Sequence, residues 1–256
     1  MLEMLLSNNK GSGDDGGIIL PAYTGPGPQT LIGGYTDPNN PSRQHGFFGE
    51  VPSEELISGD ALASAIGLIA GTSYYSIIPW LKFYIDGKIV YVPKKSLRRN
   101  ISWQAIYQAG AVYGDGTTGL HPADTPVVQD AQVAIGADTF KVMLIRGANS
   151  NPTANVTDYD HPTTHGSEWN RLFYNIATTT YSTKPSQEGE QWATYTDQDL
   201  GMISENARLS WCIEQHGYGA TSRVLRGTFG VSYLSWDTVT VPGAYSGWRP
   251  RLELVL

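Results

Sequence analysis

A chain of 256 residues that is 40% hydrophobic is long enough to bury one large or two small cores, which excludes disorder throughout. Charged residues make up 16%, against 29 Gly, 15 Pro, 15 Tyr and 7 Trp, a balance that favours loop-rich β structure over a helical bundle. The net charge of -7 and the scatter of Lys and Arg exclude a phosphate-tracking surface, so nucleic acid is not an expected partner.

In chain order, Met1 to Leu6 is too short an apolar run, and lacks the basic leader, to be a signal peptide or membrane anchor; no membrane insertion is expected. Residues 7–45 are dominated by Gly, Pro, Asn, Asp and Ser, with apolar breaks only at Ile18-Ile-Leu20 and Leu31-Ile32. Such a segment buries too little to offset its own ordering entropy, so it is expected to be a flexible arm that a partner orders. Two short helices are expected next, over Ser53–Ile57 and from an Asp60 cap to Ile66, ending at Gly67. Trp80 to Val92 alternates apolar and polar residues around Asp86-Gly87, the pattern of a β-hairpin. Four cations, Lys94, Lys95, Arg98 and Arg99, then cluster and are read as a solvated face or a subunit contact.

After a Ser102 cap the spacing becomes helical from Trp103 to about Ala109. Asp115-Gly-Thr-Thr-Gly119 lacks the Lys-Ser/Thr of a phosphate loop and reads as a turn. Thr139–Arg146 is a strand candidate. Ser167 caps a helix whose Trp169, Leu172, Phe173 and Ile176 form a core stripe. Ala207–Ile213, Arg223–Gly227 and Trp248–Leu256 read as strands, the last with Leu252, Leu254 and Leu256 on one face. Cys212 is the sole cysteine, which rules out an intrachain disulfide and a thiolate zinc site; beside Trp211 and Ile213 it reads as a buried structural thiol.

Two resemblances sharpen this. Trp80-Leu-Lys-Phe-Tyr-Ile-Asp-Gly-Lys88, followed by Ile101-Ser-Trp103, resembles a block recurrent in virion structural proteins of tailed phages, usually tail proteins, in which W-L-K-F-x-x-D-G-K precedes I-S-W. Gly46-Phe-Phe-Gly-Glu-Val51 and Ile57 to Leu68 extend the match to residues 46–120. It implies a virion component assembled in the host bacterial cytoplasm, whose partners are other virion proteins and further copies of itself. The order of elements, with Gly166-Ser-Glu-Trp-Asn-Arg-Leu172, Arg223-Val-Leu-Arg-Gly227 and Gly247-Trp-Arg-Pro-Arg-Leu-Glu-Leu254, is also similar to the C-type-lectin-like fold in its formylglycine-generating-enzyme-type version. That family's oxidase activity does not carry over, because its copper site needs a cysteine pair and this chain has Cys212 alone.

The expectation is an α+β protein with an N-terminal arm (1–45), a small helical adaptor (46–79) and a C-type-lectin-like domain (80–256) with short strands, two main helices and long loops. No cofactor is expected. His161, His165, Asp158 and Asp160 are spaced for a metal, but Pro162 keeps both histidines off one helix face and no metal site is assigned. Glu168, Glu188, Glu190, Asp197 and Asp199 offer a carboxylate pair only in the way most chains do. Among the late aromatics Tyr195, Phe229, Tyr233, Trp236, Tyr245 and Trp248, the recognition candidates are Tyr233, Trp236 and Tyr245, which turn and polar residues flank. The chain reads as a non-enzymatic virion protein, of the tail or displayed on the surface, acting in assembly and in protein or host contact. The rival readings are a host-glycan receptor binder and, behind it, a cell-wall hydrolase.

Overall fold

The computed structural model describes residues 17–121, 125–153, 167–178 and 189–256. Residues 17–32 have no strand or helix but bury Ile18 and Leu31. β1 (Gly33–Asp37) and β2 (Asn40–Val51) then pair antiparallel, so that β2 runs across the position 45/46 where the arm was expected to end. Over Ser53–Ile57 the chain makes a turn instead of the expected helix. The Glu55 and Leu56 N–H groups both donate to the Pro52 carbonyl, at 3.1 and 3.3 Å, and the turn is not propagated. α1 (Gly59–Ala65) is capped by Ser58, whose hydroxyl accepts from the Ala61 N–H, and the chain leaves it through Gly67 at φ +69°.

β3 (Thr72–Ser73) precedes the hairpin of β4 (Trp80–Ile85) and β5 (Lys88–Pro93). Ile85 faces Lys88 across Asp86 (φ 47°) and Gly87 (φ 85°), the two positive φ values a type I′ turn requires. β6 (Arg98–Arg99) leads to α2 (Trp103–Gln108), where Ser102 accepts from the Ala105 N–H at 3.2 Å. β7 (Gln132–Ile135) and β8 (Asp138–Met143) form a second hairpin. α3 (Glu168–Phe173), capped by Ser167, comes before β9 (Ala177–Thr178) and β10 (Tyr195–Thr196). β11 (Leu209–Gln215), β12 (Ser222–Gly227), β13 (Leu234–Thr238), β14 (Ser246–Trp248) and β15 (Arg251–Leu254) complete the described elements.

The strands form an antiparallel seven-stranded sheet, β1-β2-β4-β5-β15-β8-β7, a six-stranded sheet, β13-β12-β11-β14-β6-β3, and the parallel pair β9–β10. This corrects the expected fold class. The protein is mostly β, not an α+β C-type-lectin-like domain with two main helices: α1, α2 and α3 span 7, 6 and 6 residues. The capped starts at Ser102 and Ser167 are real, but a cap nucleates a helix without setting its length, and here each apolar stripe is consumed within two turns. The matched closing segment is not one strand either. Pro250, which has no N–H to donate, separates β14 in the six-stranded sheet from β15 in the seven-stranded one. Leu252 and Leu254 on β15 are buried as expected, whereas Leu256 is exposed.

The central strands are buried on both faces. Trp80, Tyr84, Ile89 and Tyr91 enter one core with Trp103, Ile106 and Tyr107 of α2 and Trp211 and Trp248 of the six-stranded sheet. Leu81, Phe83, Val90 and Val92 enter another with Trp169, Leu172 and Phe173 of α3. Each such side chain contributes about 1.5–3 kcal/mol on burial. Lys82 is the exception among these residues, fully buried among aromatics, and burial lowers its amine to about 8. It donates to Thr24 Oγ1 (3.0 Å), the Gly25 carbonyl (3.3 Å) and the Pro28 carbonyl (2.6 Å), and so fastens the segment before β1 to the hairpin. No helix of the described residues is long and apolar enough to cross a membrane.

Candidate functional site

The expected recognition residues fall into two groups along the open edge of the six-stranded sheet, where β13 pairs with β12 alone. Trp236 lies mid-strand, in register with Val224, and is 38% exposed. Its neighbours are two rings that sequence reasoning passed over, His216 and Tyr218, from the connection between β11 and β12. Tyr218 stacks on Trp236 with centroids 4.4 Å apart and 30° between planes. His216, itself buried, stacks against both, 5.1 Å from Tyr218 and 5.7 Å from Trp236. The position of Tyr218 follows from its flanks: Gly217 donates to the Thr153 carbonyl and Gly219, at φ +153°, to the His216 carbonyl. These two bonds hold a tight turn that projects Tyr218 outward at 69% exposure.

Tyr233 and Tyr245 belong to the other end of β13. Tyr233 meets Phe229 edge-on at 5.3 Å, in a turn where Thr228 and Phe229 both have positive φ. Tyr245, 48% exposed, lies 3.8 Å from the Arg208 guanidinium, and Arg208 Nε donates to Thr228 Oγ1 at 2.7 Å. Tyr233 and Tyr245 thus share one patch through Arg208 and Thr228, while Trp236 belongs to a separate ring stack. Trp248 is core and fully buried.

Behind β13 the same sheet carries a polar interior. Arg226 donates to the Gly147 carbonyl (2.6 Å), the Val231 carbonyl (2.9 Å) and Asn170 Oδ1 (2.7 Å), which ties β12 to α3. Cys212 is buried and reduced, with its thiol pushed well above its ordinary value by burial, as a structural cysteine requires. Two residues along, Glu214 is fully buried. Burial pushes its carboxyl up to about 7, against the Gly147 N–H at 2.8 Å and Arg146 Nε at 3.5 Å, which favour the carboxylate.

An acid with its native pKa near 7 and an ordinary value of 4.5 holds more proton folded than unfolded between those limits. Its contribution to stability therefore falls as pH rises from about 4.5 to about 7, and stays low above that. Glu214→Gln keeps an acceptor for the Gly147 N–H and removes the charge. We expect it to be more stable than the parent at pH 8, on the order of 1–3 kcal/mol, with the gain gone at pH 5. Urea melts at the two pH values check this, and a gain equal at both would mean that Glu214 does not titrate.

Other sequence candidates resolve into ordinary structure. Asp115 accepts from the Thr117 N–H and hydroxyl at 2.9 and 2.8 Å, a side-chain-closed turn. Glu168 lies 2.8 Å from Arg251, Asp199 accepts from the Thr196 N–H at 2.9 Å, Asp197 is buried and Glu190 is exposed. Asp158, Asp160, His161, His165 and Glu188 lie outside the described residues, and among the described ones no three His, Cys, Asp or Glu gather as a metal cluster. Compared with models of known families, with curated proteins and with solved structures, the chain matches none.

Proposed function

We propose that this chain is a non-enzymatic structural protein of a tailed-phage virion, working in assembly and in contact with other proteins or the host surface. The sequence block from Trp80 to Trp103 motivates the virion reading. The observation that carries the contact reading is the Tyr218–Trp236 stack, two large rings left exposed at an open sheet edge. Aromatic rings held rigid before binding lose little entropy on contact and are favoured at recognition surfaces.

Locating the chain in a map of intact particles tests the virion reading, which fails if no copy is present. Tyr218→Ala and Trp236→Ala test the surface. Each is expected to fold normally, with stability changed by less than about 1 kcal/mol, and to lower particle adsorption or assembly yield at least tenfold. Normal adsorption and assembly in the double variant would remove this surface from the proposal.

The stack also favours the second reading, a glycan receptor binder, because the apolar faces of sugar rings pack on exposed aromatics. A glycan array probed with the parent protein and the double variant separates it from protein contact: retention that the double variant loses is the result this reading requires.

A further inference from the structure

On the face of the seven-stranded sheet that α3 covers, apolar residues give out at β5. Phe47, Phe83 and Val90 present that face to Trp169 and Phe173. One strand on, Val90 is in register with Glu253 of β15, and Glu253 with Lys141 of β8. Cross-strand partners project from the same side of a sheet, so this face changes from apolar to charged between neighbouring strands. A cleft of about 970 Å³ opens there, between the tip of the β4–β5 hairpin, the start of α3 and the segment following β8.

The carboxylates of this cleft are engaged. Asp86 holds Arg171 through two bonds of 2.6 Å. Glu168 and Glu253 flank Arg251 at 2.8 Å each, and Lys88 adds a second cation to Glu253 at 3.1 Å. The cations are in excess, six to four among the lining residues, although the chain as a whole carries -7. Two of them stand out. Lys141 makes no ion pair among the described residues, and the Arg146 side chain, 64% exposed, has Glu214 at 3.5 Å as its nearest carboxylate. Asn151, whose Oδ1 accepts from the Gln215 N–H, keeps its amide N–H groups for a ligand on the same wall.

We propose that this cleft binds an acidic oligosaccharide, its carboxylate held by Lys141 and Arg146 and its hydroxyls by Asn151 and the paired carboxylates. A ligand of dense charge fits poorly, since four lining carboxylates would face it. A polyhydroxylated ligand with sparse negative charge uses both the surplus cations and the acceptors. The site is separate from the Tyr218–Trp236 stack, and either can fail without the other.

The test is an array of uronate- and sialate-containing oligosaccharides with their neutral counterparts, followed by titration of the best-retained glycan at low and high salt. Tripolyphosphate serves as the dense-charge control. Lys141→Gln replaces a side chain outside the cores, so an unchanged melting curve is expected. Arg146→Gln also removes the cation 3.5 Å from buried Glu214, so its melting curve is expected to match the parent's at pH 5, where Glu214 is protonated. Each variant should weaken the acidic glycan at least tenfold, added salt should weaken it further, and the neutral counterpart should bind at least tenfold less tightly. Retention of no acidic glycan, equal binding of the neutral counterpart, tighter binding of tripolyphosphate, or indifference to both cleft variants would overturn the proposal.

Discussion

Replacing Trp169 by alanine is expected to leave the protein largely unfolded at room temperature. The indole is fully buried, packs on Phe173 at 4.5 Å and donates from Nε1 to the Val231 carbonyl at 2.8 Å. The Arg226 and Arg249 guanidiniums lie 5.6 Å from its ring. Truncation opens a cavity, removes one of the two donors to the Val231 carbonyl, the other being Arg226, and strips cover from two buried cations. The cavity alone costs about 3–5 kcal/mol, a large part of the total stability of an ordinary domain. Trp103→Ala should behave alike, since that ring is equally buried and donates to the Cys212 carbonyl at 3.0 Å. Equilibrium urea unfolding of both beside Trp236→Ala checks this, and a Trp169 variant as stable as the Trp236 one would mean that α3 is not a core element.

Arg226→Met is the second severe change. Methionine fills much of the same space, so the loss isolates the polar part. The Gly147 carbonyl and Asn170 Oδ1 lose their Arg226 donor inside the protein, at about 1–3 kcal/mol each, while the Val231 carbonyl keeps the Trp169 indole N–H. We expect a total on the order of 4 kcal/mol. Arg226→Lys should recover little of it, because an ammonium cannot span acceptors arranged for a planar fork. Thermal melts of the two variants decide the matter: full recovery in the lysine variant would show that the charge matters and the fork does not.

The parts of the fold legible in the sequence are those decided within a few residues. Asp86-Gly87 demands positive φ at both positions, and the alternation on either side of it has one satisfactory solution, the β4–β5 hairpin. Ser102 and Ser167 likewise satisfy helix N–H groups that lie within three positions of them. What could not be read depends on distant partners. Gly33–Val51 contains four glycines, two prolines and few apolar residues, yet it forms two strands because β4 supplies the ladder for β2 and the α3 side chain Arg171 donates to the Gln44 carbonyl at 2.8 Å. The α+β expectation failed for the same reason, since helix length is set by where neighbouring strands claim the chain.

The surface followed the same division. Turn and polar flanks pick out Tyr233, Trp236 and Tyr245 as outward residues; Trp236 and Tyr245 are exposed, whereas Tyr233 is half-buried. Grouping was not legible: Trp236 joins His216 and Tyr218 only because β12 folds back between β11 and β13. The glycines on either side of Tyr218 were the available signal, an aromatic residue with nothing beside it to pack on. The charged cleft was less legible still. Lys88, Lys141 with Arg146, and Glu253 come from three places in the chain, and none has an unusual neighbourhood there.

The place of β15 bears on how this protein must be made. It is an inner strand of the seven-stranded sheet, between β5 and β8, and its Glu253 meets a Lys88 that is 165 positions earlier. On the ribosome, the β4–β5 and β7–β8 hairpins emerge long before the strand that joins them. Until it arrives each presents an unpaired apolar edge, open to a neighbouring nascent chain. Contacts so distant in sequence also make folding slow, because a large loop must close before the joining strand adds any ladder bonds. Yield during expression should therefore depend on temperature and on available holding chaperones more than the stability of the finished sheet implies.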